Sequence, residues 1–294
     1  MTIRSQLLPF TLLGAALIVF GWHPLLATLS LAASNEAYTH ILLIFPLSAA
    51  LIYVDSRSAE RKALMIDPQP DFRAGAALMA LALALGGYAR WGMAAAPSDI
   101  SIALAMFALV IGLMASVLLC FGARTFLSFL FPLCFLLLIV PLPDFVLNWI
   151  VECLQQQSAF AARIMFRAVG VPVTRDGIML SIPGLDIEVA RECSSIRSSS
   201  MLMVSTLVFA HLFLRSWRRK ALLIAVAIPL SVAKNGLRIF TIAELGTRVN
   251  HGYLDGNLHH HGGIIFFAVS VVAVLALLWI LRQTDAGAPW QHPP

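Results

Sequence analysis

Three short stretches of this sequence gather residue types that do chemistry: Arg191-Glu-Cys-Ser-Ser-Ile-Arg197, Lys234-Asn-Gly-Leu-Arg238 and Asp255-Gly-Asn-Leu-His-His-His261. Cys193 supplies a nucleophile. At a strand-to-helix junction, the free amides and positive dipole end of the first helical turn stabilise a thiolate. Arg197, four residues on, adds positive charge one turn away, and an activated nucleophile needs that. Glu192, Ser194 and Ser195 flank the thiol with polar groups. The plainer reading is a buried cysteine beside an arginine that snorkels towards water. Arg238, with Asn235 one turn before it, offers a permanent planar donor fork to a developing oxyanion. Its plain alternative is a boundary arginine holding a lipid phosphate, and the basic neighbour Lys234 makes a simple structural ion pair less attractive. His259, His260 and His261 can act as general acid or base near neutral pH, or as metal ligands. Consecutive histidines do not share a helix face, so at most two serve one site. No Cys-x-x-Cys or His-Glu-x-x-His spacing accompanies them, and the expectation is a site without metal or cofactor.

The elements that must position these residues follow from composition. Of 294 residues, 60% are hydrophobic and only 12% charged, against about 45–50% and about 25% in soluble domains. Mean hydropathy is +0.86. A soluble enzyme, a disordered chain and a disulfide scaffold are excluded, which leaves an all-α polytopic membrane protein. Cys120 and Cys134 lie inside apolar runs, where a thiol behaves as a small hydrophobe. A spanning helix needs about 20 mostly apolar residues. Eight stretches qualify: 6–24, 39–54, 73–92, 100–121, 125–142, 194–214, 220–240 and 262–282. The first is read as a retained helix rather than a signal peptide, since no clear small-residue cleavage pattern follows it.

Loop charge sets the orientation. Arg57, Arg61, Lys62 and Arg73 separate the second and third spans, and Arg215, Arg218, Arg219 and Lys220 separate the sixth and seventh. The connection 25–38 carries no Lys or Arg. Basic loops face the cytoplasm, so both termini are expected inside. The net charge of +5 therefore reports orientation, and no nucleic-acid partner is expected. This topology puts 141–193 and 238–262 on the outer side, where the three polar stretches can meet. Asp144–Ala168 reads as an amphipathic helix in the interface plane, with Phe145, Leu147, Ile150, Val151 and Leu154 interrupted by Asn148 and Gln155–Gln157. After it, Val171–Ile182 turns at Asp176-Gly177, and Leu185, Ile187 and Val189 alternate with Asp186 and Glu188. That pattern predicts a small hairpin or three-stranded sheet leading back to the membrane at Cys193. No internal repeat is visible, and the polar tail 283–294 follows the last span. The whole of 1–294 reads as one integral-membrane domain: N-terminal helices over 6–142, the outer segment over 143–192 and the catalytic helices over 193–282.

The ordered motifs resemble the exosortase/archaeosortase family of integral-membrane cysteine transpeptidases. Glu192–Arg197 is similar to the family's cysteine motif and Asn235–Ile239 to its arginine motif. A histidine four residues before a glycine closes the set, and only His259, with Gly263 and Phe267 following, has that spacing. Pro141–Asp144, Gly170–Gly177 and Tyr38-Thr-His40 also look familial, so the resemblance covers about residues 35–285. Two positions depart from the usual pattern: Ser195 stands for a glycine and Ile264 for a tryptophan.

The resemblance implies an enzyme of the bacterial inner membrane, its site facing the periplasm or exterior. Its partners would be membrane-anchored proteins with a C-terminal sorting signal of the PEP-CTERM type, whose transmembrane helix docks on the apolar flank of the bundle. Gram-negative members accompany exopolysaccharide production. Cys193 would be the nucleophile, Arg238 the oxyanion donor and His259 the general acid/base, with His260 and His261 as alternatives; Arg197, Asn235 and Glu192 would support them. Cys153 could pair with Cys193 under oxidising conditions, though the family logic favours a free Cys193. Two other readings compete. A transporter would place its charges near the midplane or on both sides. A metal-dependent membrane hydrolase would be built on the histidines. A rhomboid-type serine protease lacks the Gly-x-Ser-x-Gly segment it would need.

Overall fold

The computed structural model describes residues 3–57, 69–95, 98–189, 196–249 and 263–285. Helices carry nearly all of it, and the chain divides into two compact units, Met1–Val146 and Leu147–Pro294.

In the first unit the helices are α1 (Ile3–Phe20), α2 (Trp22–Ser34), α3 (Ile41–Ser56), α4 (Phe72–Ala95), α5 (Asp99–Ser128) and the short α6 (Leu130–Phe135). Short polar side chains start several of them. The Asp71 carboxylate accepts the amide of Ala74 at 3.1 Å, and the Ser98 hydroxyl accepts that of Ser101 at 3.1 Å. Each satisfies a donor that the first turn leaves unpaired. α4 and α5 form a tight antiparallel pair: a Cβ on Gly75 would stand 2.7 Å from the Leu119 side chain.

The second unit begins within α7 (Asp144–Ala168) and continues through β1 (Thr174–Asp176), β2 (Met179–Ile182), β3 (Leu185–Glu188), α8 (Ile196–Phe213), α9 (Trp217–Arg248) and α10 (Gly263–Asp285). Of the expected hairpin or three-stranded sheet, the sheet forms, antiparallel in the order β1-β2-β3, with Arg175 opposite Leu180 and Leu180 opposite Ile187. Gly177 (φ +59°) and Gly184 (φ +84°) make its two turns, using the left-handed region where glycine costs least. Alternation buries Leu180 and Ile182 and exposes Met179 and Ser181. The buried face joins Ala159, Ala162 and Phe166 of α7 to Ile239 and Ala243 of α9. A second core, with Leu202, Leu223, Val274 and Leu278, joins α8, α9 and α10. Among the spanning helices such burial stabilises by van der Waals packing, because lipid tails are as apolar as the side chains themselves.

Among the described residues, six helical segments are long and apolar enough to cross a membrane, and up to eight spans result if each of two bent pairs is one span. The protein is thus an all-α polytopic membrane protein with a small sheet, but four expected boundaries change. The first span does not end in an outer loop at 25. It bends by 70° at Gly21 and continues as α2 to Ser34. Gly21 packs closely there, since a Cβ would come within 3.2 Å of Leu109, and Pro24 sits in the first turn of α2, where a missing N–H is tolerated. The fifth span, expected over 125–142, is broken. Leu130–Ile139 turns by 95° into α7 because Pro141 and Pro143 cannot continue a helix. The expected break near 122 is a kink inside α5 at Gly122 (φ +83°), whose missing Cβ makes room for the Gln69 carbonyl. Finally, the seventh helix runs on to Arg248 rather than stopping near 240. The polar residues that suggested a loop are satisfied within the helix: Thr247 bonds the Ala243 carbonyl at 2.9 Å, and Arg248 pairs with Glu244 at 2.6 Å.

Candidate active site

α9 carries the polar centre of the second unit. Lys234, Asn235 and Arg238 retain only 5%, 0% and 8% of their surface, in a helix with the length and composition of a membrane span. Buried charge in such a helix is costly and marks function by default. The Lys234 ammonium donates to the Ser198 hydroxyl in the first turn of α8. One turn back along α9, the Ser231 hydroxyl donates to Ser199 at 2.6 Å. These two rungs cross-link the antiparallel helices and fix their register. Arg238 lies one turn past Lys234, about 6 Å along the axis, in the direction of the residue where α8 starts. Its position within α9, rather than near a helix end, corrects the expected boundary. Several turns of helix beyond it hold its backbone.

A close helix contact sets the other side of this centre. A Cβ on Gly236 would stand 2.6 Å from the Ala161 Cβ and 3.0 Å from the Ala162 amide nitrogen, so α7 and α9 approach as nearly as backbones allow. α7 also secures the end of the sheet. The Gln155 side-chain amide donates to the Val189 carbonyl at 2.7 Å, while the Val189 amide donates to Ile178 at 3.1 Å. The chain is therefore held at Val189 on one side of 190–195 and at Ser198 and Ser199 on the other. The amphipathic α7 buries Leu147, Val151, Gln155, Ser158, Ala162 and Phe166 at helical spacing and exposes Phe145, Trp149, Phe160 and Ile164. Its regular stripe faces protein, so the expected interfacial helix is also the support of the site.

Of the residues singled out in the sequence, Arg238 and Asn235 come together on α9, and Arg197 sits exposed in the first turn of α8. Glu192, Cys193, His259, His260 and His261 lie outside the described residues. Among the described residues no group of His, Cys, Asp or Glu stands together as a metal-binding set. Cys153 is a free, exposed thiol. In the sequence Lys234 stands only as a basic neighbour of Arg238; its bond to Ser198, and that of Ser231 to Ser199, belong to the fold. Their signal was visible: a lysine inside an apolar run, and Ser231 spaced to face the Ser198–Ser200 turn. Gln155 and Gly236 gave no comparable signal.

In the first unit, two stretches noted as familial meet. The Tyr38 hydroxyl donates to the Leu142 carbonyl at 2.8 Å, and the amide of Asp144 donates to the Asp99 carboxylate at 2.7 Å. Together they fix the chain where α7 begins.

Comparison with known proteins identifies the family. A family model described as a transmembrane exosortase matches residues 32–276. No curated protein and no solved structure matches the chain.

Proposed function

Because this chain belongs to the transmembrane exosortase family, a family of membrane cysteine transpeptidases that act on sorting signals, we propose that it cuts the C-terminal sorting signals of membrane-anchored proteins and transfers them to an acceptor. The observation that carries this reading is the buried Lys234-Asn235-Arg238 centre on α9, bonded to the first turn of the helix that follows Cys193. A permanently charged donor fork of low accessibility is what an oxyanion site requires, because preorganised donors act most strongly where water is excluded.

In the proposed reaction the Cys193 thiolate attacks the scissile carbonyl, and the developing oxyanion is stabilised by Arg238. The tetrahedral intermediate collapses, the C–N bond breaks, and the leaving amine takes a proton from His259. The thioester remains on Cys193. His259, now neutral, accepts a proton from the incoming amine or water as it attacks the thioester, and the thiolate leaves. Asn235, Arg197 and Glu192 support the charged groups. The substrate's own transmembrane helix docks by packing on the apolar flank of the bundle. The site faces the periplasm or exterior of the inner membrane, with both termini cytoplasmic. A PEP-CTERM-type signal and a link to exopolysaccharide production belong to the same reading.

The decisive test traps the intermediate. Purified protein mixed with a tagged candidate substrate should give a hydroxylamine-sensitive adduct at Cys193, and mass spectrometry should find the new C-terminus at the signal motif. Cys193→Ala should fold normally and leave the substrate whole. Normal processing by that variant would refute the proposal.

A further inference from the structure

The Met1–Val146 unit contains a cavity none of whose lining residues belongs to the proposed chemistry. It measures about 270 Å³ and lies where α1 bends into α2, against α4 and α5. Leu17, Ala82, Gly86, Ala108 and Leu109 form an apolar wall, and Phe20, His23 and Arg90 also line an adjoining open cleft with Trp22. Ala82, Gly86 and Arg90 recur every four residues on one face of α4. The wall therefore runs about 12 Å along that helix away from the arginine.

The mouth has the chemistry of an anion site at headgroup depth. The Arg90 guanidinium stands 5.4 Å above the Phe20 ring. Arg90 and His23 are both exposed, and among the described residues no carboxylate pairs with Arg90. Trp22 lines the cleft beside it, and Tyr88 and Trp91 stand at the same level on other faces of α4; the three are 50%, 65% and 73% exposed, with the Tyr88 and Trp91 rings 6.4 Å apart. Amphipathic rings of this kind gather at the membrane–water interface, where lipid phosphates lie. The apolar wall leads from that level into the hydrocarbon.

We propose that this cavity holds one membrane phospholipid, with its phosphate on the Arg90 fork beside His23 and one acyl chain along the Arg90–Gly86–Ala82 face of α4. Arginine meets a phosphate through two parallel charge-assisted hydrogen bonds, and small side chains leave the groove that a flexible chain fills. The pairing of mouth and wall selects the occupant: a phospholipid brings an anionic phosphate for Arg90 and an acyl chain for the apolar wall on one molecule. The site stands or falls independently of the transpeptidase reading.

Native mass spectrometry of the full chain, titrated with dioleoyl phosphatidylglycerol, tests it. One lipid per chain should be retained. Arg90→Gln should weaken retention at least about tenfold, the loss expected when a charge-assisted contact is removed. Gly86→Leu should weaken it similarly with the arginine intact. A Cβ on Gly86 meets only ordinary contacts, Ala108 at 3.6 Å and Phe20 at 4.0 Å, so the added branches must enter the cavity. Dioleoylglycerol, which lacks the phosphate, should not be retained, and inorganic phosphate should not displace the lipid. Equal retention by wild type and either variant overturns the proposal. So does displacement by inorganic phosphate, which would mark a free-anion site, or by an apolar transmembrane peptide. If either variant melts below the wild type in detergent, His23→Ala and Ala82→Leu carry the same comparison at the mouth and wall.

Discussion

At the scale of single residues, the proposed chemistry depends on a fork of donors rather than on positive charge alone. Arg238→Lys keeps the charge but loses the planar pair of N–H groups. Processing of a tagged substrate should fall about 10²–10³-fold, the usual cost of removing one oxyanion donor, while thermal unfolding in detergent is little changed. Wild-type turnover in Arg238→Lys would remove Arg238 from that role. The three adjacent histidines are distinguished only by spacing to Gly263. Separate alanine substitutions should therefore abolish processing at His259 and leave most of it at His260 and His261. An essential His260 or His261 with a dispensable His259 would show that the spacing argument selected the wrong residue.

At the scale of elements, α8 and α9 are held in register by polar rungs inside an otherwise apolar interface. Ser198→Ala leaves the buried Lys234 ammonium without its hydroxyl acceptor and should destabilise the protein by about 1–3 kcal/mol. In a Lys234→Met background the same change should cost much less, because the donor is already gone. Additive effects in a double-mutant cycle, followed by thermal unfolding, would show that the rung does not couple the helices. The cross-link gives Lys234 a role that a leucine there could not fill. It aligns the start of α8 with the arginine one turn further along α9, and polar groups inside membrane bundles do this through interhelical hydrogen bonds.

At the scale of the whole molecule, the basic loops predict the orientation. On a chain whose native cysteines are replaced, a single cysteine at Ser56 should react with an impermeant thiol reagent only from the cytoplasmic side. One at Ser181, an exposed position of β2, should react only from the other side. Labelling of both from one side would invert the assigned topology. The bends change what that topology means for the count of spans. A window of apolar residues counts helices by length, and it reads 6–24 and 125–142 as straight spans. Backbone geometry at Gly21, and at Pro141 and Pro143, turns each into part of a bent pair, so among the described residues the same hydropathy supports six single-helix candidates and eight only with the pairs included.

The sequence by itself determined the class of the protein, the order of its motifs and a small β element before Cys193. Those features rest on local signals: apolar run length, period-two alternation and glycines at turns. It also pointed to Arg238 and Asn235, because an arginine in an apolar helix is exceptional wherever that helix packs. Only the tertiary structure decided that α9 extends to Arg248 and buries Arg238 well inside the helix, and that Lys234 is bonded to Ser198. It alone revealed that Gly236 lets α7 approach, that Gln155 secures the sheet at Val189 and that Tyr38 reaches Leu142. Each of these joins residues far apart in the chain, and hydropathy sums neighbours along the chain while burial and hydrogen bonding depend on neighbours in space.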